Sequence, residues 1–236
     1  MSKLLDQGGF GCIFHPALTC KGKTMNSASK VSKVQHEGFH SDNEIHIGKL
    51  VSKIPNYGRY FLPIISSCPI DITTVDSKLK NKCKVIQKNS RHKFTLMNMQ
   101  YMNNISFSDY FSESFSNIEL IHRLLFSYNN LAKSLRLLNN NHIVHHDLKR
   151  DNILIHKTKL QPVIIDFGIS INMKDLISTD HEQLSQYFYV DAPSYYPWSI
   201  EIHILNYIVI NEITTPLRKE SLHKLAKDYN KGNAGL

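Results

Sequence analysis

The segment from His145 to Gly168 limits what this chain can fold into more than any other. It reads His145-His146-Asp147-Leu148-Lys149-Arg150-Asp151-Asn152, then two short apolar runs around a turn (Asn152–Ile155 and Val163–Ile165), and ends on Asp166-Phe167-Gly168. An acid, a lysine two residues on and an amide five residues on offer three tools: a carboxylate that can take a hydroxyl proton, an ammonium that can meet a phosphoryl group, and an amide oxygen that suits a hard cation. The second apolar run predicts a buried strand with Asp166 at its tip, where a second carboxylate can hold a divalent cation. A polar capping loop is the plain alternative for the octet. It leaves unexplained why an apolar strand ending in an acid follows, with Asp166 nineteen positions after Asp147.

Upstream, Leu4 to about Val34 reads as strand, glycine turn, strand, a polar hairpin over Lys21–Ser29, and a third strand. The turn is Asp6-Gln7-Gly8-Gly9-Phe10-Gly11. Glycines without Cβ let backbone N–H groups approach phosphate oxygens, although three glycines in a hairpin are more often just a turn. A helix follows, capped by Ser41 or Asp42, carried by Glu44, Ile45, Ile47, Leu50 and Val51, and ended by Pro55. Residues 60–75 and 84–100 are expected to be strands separated by a basic loop. The character changes after Asn103: Ile118, Ile121, Leu124, Leu125, Tyr128, Leu131, Leu135 and Leu138 recur at helical spacing and predict one long amphipathic helix. Helices return from about Trp198. The chain thus divides into a β-rich part, residues 1–103, and a helical part, residues 104–236.

Composition excludes several classes. With 236 residues, 42% hydrophobic and 20% charged, the chain is neither disordered nor low in complexity. Its longest nearly apolar stretch, Ile202–Ile210, is broken by His203 and Asn206 and is too short to cross a bilayer. Residues 1–11 show no secretory leader. Lys and Arg outnumber Asp and Glu 28 to 20, but they are spread along the chain, so a solvated basic face is expected rather than a nucleic-acid tail. Cys12, Cys20, Cys68 and Cys83 form no CxxC pair and are expected to be reduced, passive thiols. His36, His40 and His46 read as surface residues rather than a metal site.

The ordered set of glycine turn, HHDLKRDN and IIDFG resembles the eukaryotic-type protein kinases, over Leu4 to about Gly168. The GGFGCIFHPAL opening, VSKVQ and FLPIISSCPI look most like the divergent kinases of large DNA viruses. The resemblance implies an α+β, two-lobed kinase-like fold with ATP and Mg²⁺ as cofactors. It casts Asp147 as catalytic base, Lys149 as the loop lysine that marks Ser/Thr kinases, and Asn152 and Asp166 as metal ligands. Gly8, Gly9, Phe10 and Gly11 would line the phosphates. Ile13, Met99, Gln100, Met102 and Leu154 would line the adenine pocket. Lys33, with Lys30 as the alternative, would grip the α- and β-phosphates and pair with Glu44. The implied partner is a protein substrate, and the implied location is intracellular: the host cytoplasm, or the virion if the source is viral.

Three departures stand out. Asp6 replaces the first loop glycine, and His146 replaces the arginine that receives an activation-loop phosphate. Ser178, Thr179 and Ser185 are therefore expected to be dispensable for turnover. Only 70 residues follow Asp166, so the second lobe is expected to be shortened, with Tyr196-Pro197-Trp198-Ser199-Ile200-Glu201 standing for the Ala-Pro-Glu element or opening the next helix. The alternative function is a catalytically weak or inactive pseudokinase that acts as a binding module.

Overall fold

The computed structural model describes residues 1–9, 11–88, 93–112, 115–177, 181–188, 195–213 and 218–232. Five strands, β1 (Lys3–Gln7), β2 (Gly11–His15), β3 (Lys30–His36), β4 (Ser66–Ile70) and β5 (Phe94–Gln100), form an antiparallel sheet in the order β1-β2-β3-β5-β4. Central β3 and β5 are buried along nearly their whole length, as continuous runs such as Val31–Gln35 and Phe94–Asn98 require. The register sets Lys33 between Ile13 of β2 and Met97 of β5.

Helix α1 (Phe39–Val51) follows β3. It begins before the expected Ser41 or Asp42 cap. Gly38 is the cap residue, and Ser41 acts from inside the first turn, its Oγ accepting from Gly38 N–H at 3.0 Å and donating to Gly38 O at 2.8 Å. The short helices α2 (Ser77–Lys80) and α3 (Lys84–Lys88) correct the strand expected to start at residue 84. A single apolar pair, Val85-Ile86, carries no alternation to hold a strand. It is buried instead beneath the sheet with Leu79, Ile70 and Ile72.

The cysteine expectation is also overturned. Cys12 on β2 bonds Cys83 just ahead of α3, and Cys20 bonds Cys68 on β4, each pair with Cα atoms 5.9 Å apart. Tertiary packing of loop residues Cys20 and Cys83 against the sheet, not sequence spacing, brings these pairs together, across separations of 71 and 48 residues.

After β5 the chain forms β6 (Asn104–Ser106), α4 (Phe107–Ser112), α5 (Asn117–Asn140), β7 (Ile143–Val144), β8 (Ile153–His156), β9 (Pro162–Ile164), β10 (Ile171–Asn172), α6 (Met173–Ile177), α7 (His181–Tyr187), α8 (Ile200–Ile210) and α9 (Lys219–Gly232). The expected hairpin is β8–β9, antiparallel with Ile153 opposite Ile164, and β6 adds to its other edge. Helix α5 carries a full capping box: Ser116 Oγ accepts from Glu119 N–H, and the Glu119 carboxylate accepts from Ser116 N–H. Its anticipated apolar stripe is mostly uncovered. Ile118, Ile121, Leu125 and Tyr128 are exposed, and the buried positions are Ser127, Asn130, Ser134 and Leu138.

One cluster fixes the parts that matter below. Ile47, Val51 and Ile54 meet Phe61, Leu138, Ile143, Ile164 and Phe167, tying α1 to α5, β9 and the turn after β9.

Candidate active site

Lys33 enters the site from β3 and Glu44 from α1. Lys33 Nζ donates to Glu44 Oε2 at 2.7 Å and to Asp166 Oδ1 at 3.3 Å. Burial works against the lysine's charge, but Glu44 and Asp166 outweigh it and hold the ammonium above its ordinary range. Burial pushes the Glu44 carboxyl up against the pull of Lys33. The 2.7 Å contact to an ammonium so strongly held keeps the pair ionic. Lys30 lies at the start of β3, opposite Gln100, and its side chain takes no part in this contact.

Asp166 follows β9 at a positive φ of 63°. Burial opposes its charge, but Lys33 and the Gly168 N–H hold the carboxyl below the usual range. The carboxylate is nonetheless 41% exposed, so an oxygen faces outward. The turn is locked from α1, where Asn43 Nδ2 donates to Gly168 O at 3.0 Å and to Ser170 O at 2.9 Å. Phe167 is buried against Phe61 and His145.

Asp147 is gripped from several sides. Lys149 Nζ reaches its two oxygens at 3.2 and 2.9 Å, and Asn152 Nδ2 donates to its backbone carbonyl at 2.8 Å and to Oδ2 at 3.0 Å. Ile165 N–H donates to Asn152 O at 3.0 Å, which sets the Asn152 segment beside the residue that precedes Asp166. With its NH₂ turned to Asp147, Asn152 keeps its amide oxygen for a cation. One outward carboxylate oxygen and one amide oxygen fit Mg²⁺, which takes few protein ligands and completes its shell with water and phosphate. Among the described residues no cluster of three His, Cys, Asp or Glu exists, so a closed, all-protein metal site is not built here.

His145 is buried, and its Nε2–H donates to Ile165 O at 3.0 Å while Nδ1 accepts from Asp147 N–H at 3.4 Å. Burial lowers its pKa, in keeping with this neutral tautomer. His146 is packed rather than presented: it stacks on Trp198 at 5.5 Å and meets Phe188 edge-on, and burial lowers its pKa to about 4. It faces aromatic rings, an unsuitable seat for a phosphate. Ser185 is exposed on α7, whereas Ser178 and Thr179 lie outside the described residues.

At the glycine turn, Gly8 N–H donates to Gly11 O at 3.0 Å. Side-chain space at Gly8 and Gly9 is open, whereas a Cβ on Gly11 would meet Val34 O at 2.9 Å, so close β2–β3 approach explains that glycine. Phe10 lies outside the described residues. Asp6 is exposed and turns back on its own strand, its Oδ1 accepting from Gln7 N–H at 2.7 Å. Ile13, Met99, Met102 and Leu154 are half-buried, on β2, β5, the segment after β5 and β8, and Gln100 is exposed. Glu201 sits exposed in the first turn of α8, where the Ser199 hydroxyl lowers its pKa. Trp198-Ser199-Ile200 therefore opens a helix.

Sequence reasoning missed Tyr195. Its hydroxyl donates to Asp147 Oδ1 at 2.6 Å and accepts from Lys149 Nζ at 2.7 Å. No local pattern marks it, because the contact spans 48 residues.

A family model for the protein kinase domain matches residues 72–193, just over half of the chain. The chain belongs to the protein kinase family. The match contains Asp147, Lys149, Asn152 and Asp166 but begins after the glycine turn, Lys33 and Glu44. Lys33, and Glu44 through it, are linked to the matched segment by the Lys33–Asp166 contact. A search of curated proteins returned no match.

Proposed function

We propose that this chain transfers the γ-phosphoryl group of ATP to a serine or threonine of a protein substrate. The observation that carries the reading is the joining of two charged networks, Glu44–Lys33–Asp166 and Lys149–Asp147–Asn152, through the Ile165–Asn152 backbone bond. In this reading Lys33 offsets phosphate charge, and the open backbone at Gly8 and Gly9 receives phosphate oxygens. Ile13, Met99, Gln100, Met102 and Leu154 enclose the base. Asp147 orients the acceptor hydroxyl and takes its proton, and Lys149 balances charge beside it. Asp166 and Asn152 would hold Mg²⁺, which supplies charge neutralisation when bound. The choice of serine or threonine rests on Lys149.

A kinship with kinases of large DNA viruses and a two-lobed shape belong to the same proposal. So does an intracellular location. Two disulfides weigh against a reducing cytosol, so free-thiol counting on protein taken directly from cells bears on that part.

Transfer of label from γ-labelled ATP tests the reading. The parent chain should label a protein acceptor, and Asp147→Asn and Asp166→Asn should each lose on the order of a hundredfold or more. Equal labelling by all three would reject the mechanism. One observation favours the inactive binding module instead: Tyr195 occupies Asp147 Oδ1. No labelling by the parent chain, with nucleotide still bound, would establish that reading.

A further inference from the structure

Asp147 is the group that must accept a proton from the phosphate acceptor, and a hydroxyl of this same chain already sits on it. A base acts on a proton within hydrogen-bond reach, and Tyr195 Oη lies 2.6 Å from Asp147 Oδ1. The same oxygen accepts from Lys149 Nζ at 2.7 Å. Both contacts expected of an acceptor hydroxyl on the protein side are therefore made. The ring is held in that pose. Trp198 meets it edge-on at 5.1 Å, the Lys149 ammonium lies 5.4 Å from its centre, and Trp198 is itself fixed by stacking on His146 and by donating Nε1–H to His146 O at 2.8 Å. Burial raises the phenol's pKa, with Asp147 adding to the effect, so the hydroxyl keeps its proton at neutral pH and a base is needed to remove it.

We propose that Tyr195 is a self-phosphorylation site, the acceptor for the chain's own ATP-dependent transfer, in cis. The inference rests on the kinase reading above. The Oη–H proton passes to the Asp147 carboxylate, a bond forms between Oη and the γ-phosphorus, and the bond from that phosphorus to the β,γ-bridging oxygen breaks, with its electron pair leaving on ADP. Asp147 then releases the proton to water. The preference for serine and threonine that Lys149 suggests concerns acceptors arriving from solution. A side chain already docked reacts intramolecularly, with the large effective concentration that docking confers. The product places about −1.5 to −2 charges beside a carboxylate.

The full chain, first stripped of phosphate with a phosphatase, is incubated with ATP and Mg²⁺ and followed by intact mass and peptide fragmentation, beside a generic protein acceptor in a parallel reaction. Expected is phosphotyrosine at Tyr195, at a rate per molecule unchanged on dilution, retained in Tyr196→Phe and lost in Asp147→Asn. Label on the generic acceptor with none on Tyr195 would overturn the inference and leave the kinase reading standing. Labelling of Tyr195 that slows on dilution would overturn the in-cis step. No label anywhere would sink both together.

Discussion

Lys33 and Asp166 lie 133 residues apart in the chain and 3.3 Å apart in space. That contact joins β3, which the kinase family match does not reach, to the Asp166 turn that the match contains.

Its first consequence is an asymmetry between two lysines three positions apart. Lys33→Met would strand the buried Glu44 carboxylate, and removing one partner of a buried pair costs about 3–5 kcal/mol. Lys30→Met, at the strand start and outside the pair, should change stability by less than about 0.5 kcal/mol. Urea unfolding of the two variants measures the difference. Adding Glu44→Gln to Lys33→Met should recover part of the loss, and equal midpoints for the two single variants would contradict the pairing.

Much of this site could be read from the sequence because its chemistry is local. Asp147, Lys149 and Asn152 lie within one loop, and Asp166 ends a strand whose apolar run is continuous. What the sequence could not show was register. Whether Lys30 or Lys33 meets Glu44 depends on how β3 lies against α1, and a shift along the strand changes which face a lysine occupies. Tyr195, the disulfide partners and the α3 helix were hidden for the same reason: tertiary neighbours decide each of them.

Histidine burial gives the chain an acid-side sensitivity. His146 titrates near 4 when folded and near 6.5 when unfolded, and His145 is also lowered by burial. The unfolded chain therefore binds more protons between those values. Above pH 6.5 His146 contributes no slope; below it, stability falls by up to about 1.4 kcal/mol per unit until pH approaches 4. His146 Nε2 is buried without a hydrogen-bond partner among the described residues, so His146→Phe keeps the aromatic packing and removes the proton site. Denaturation midpoints between pH 7 and about 4.5 should fall less steeply in that variant. Parallel curves would show that His146 is not the group responsible.

The disulfides make a redox prediction. Closing loops of 71 and 48 residues restricts the unfolded chain, and losing either bridge should cost about 2–4 kcal/mol. Peptide mapping without reductant should recover Cys12 linked to Cys83 and Cys20 linked to Cys68. Cys12→Ser with Cys83→Ser should lower the melting temperature under oxidising conditions and not under reducing ones. Four free thiols in the untreated protein would return the cysteines to the passive role that their spacing suggested.

The long helix α5 separates period from burial. Its sequence predicts one apolar face from Ile118 to Leu138, yet Ile121 is 53% exposed and Leu138 only 1%. Leu138 is packed with Ile143, Ile164 and Phe167, so Leu138→Ala leaves a cavity under the turn that carries Asp166. Its expected cost is about 2–5 kcal/mol, accompanied by weaker nucleotide binding as that turn loosens. Ile121→Ala removes a similar side chain of the same periodic stripe, but from water-facing surface, and should stay within about 0.5 kcal/mol. Chemical denaturation of both variants decides whether the stripe or the packing governs. Comparable losses at the two positions would mean that the outer part of the helix is covered by a partner in solution.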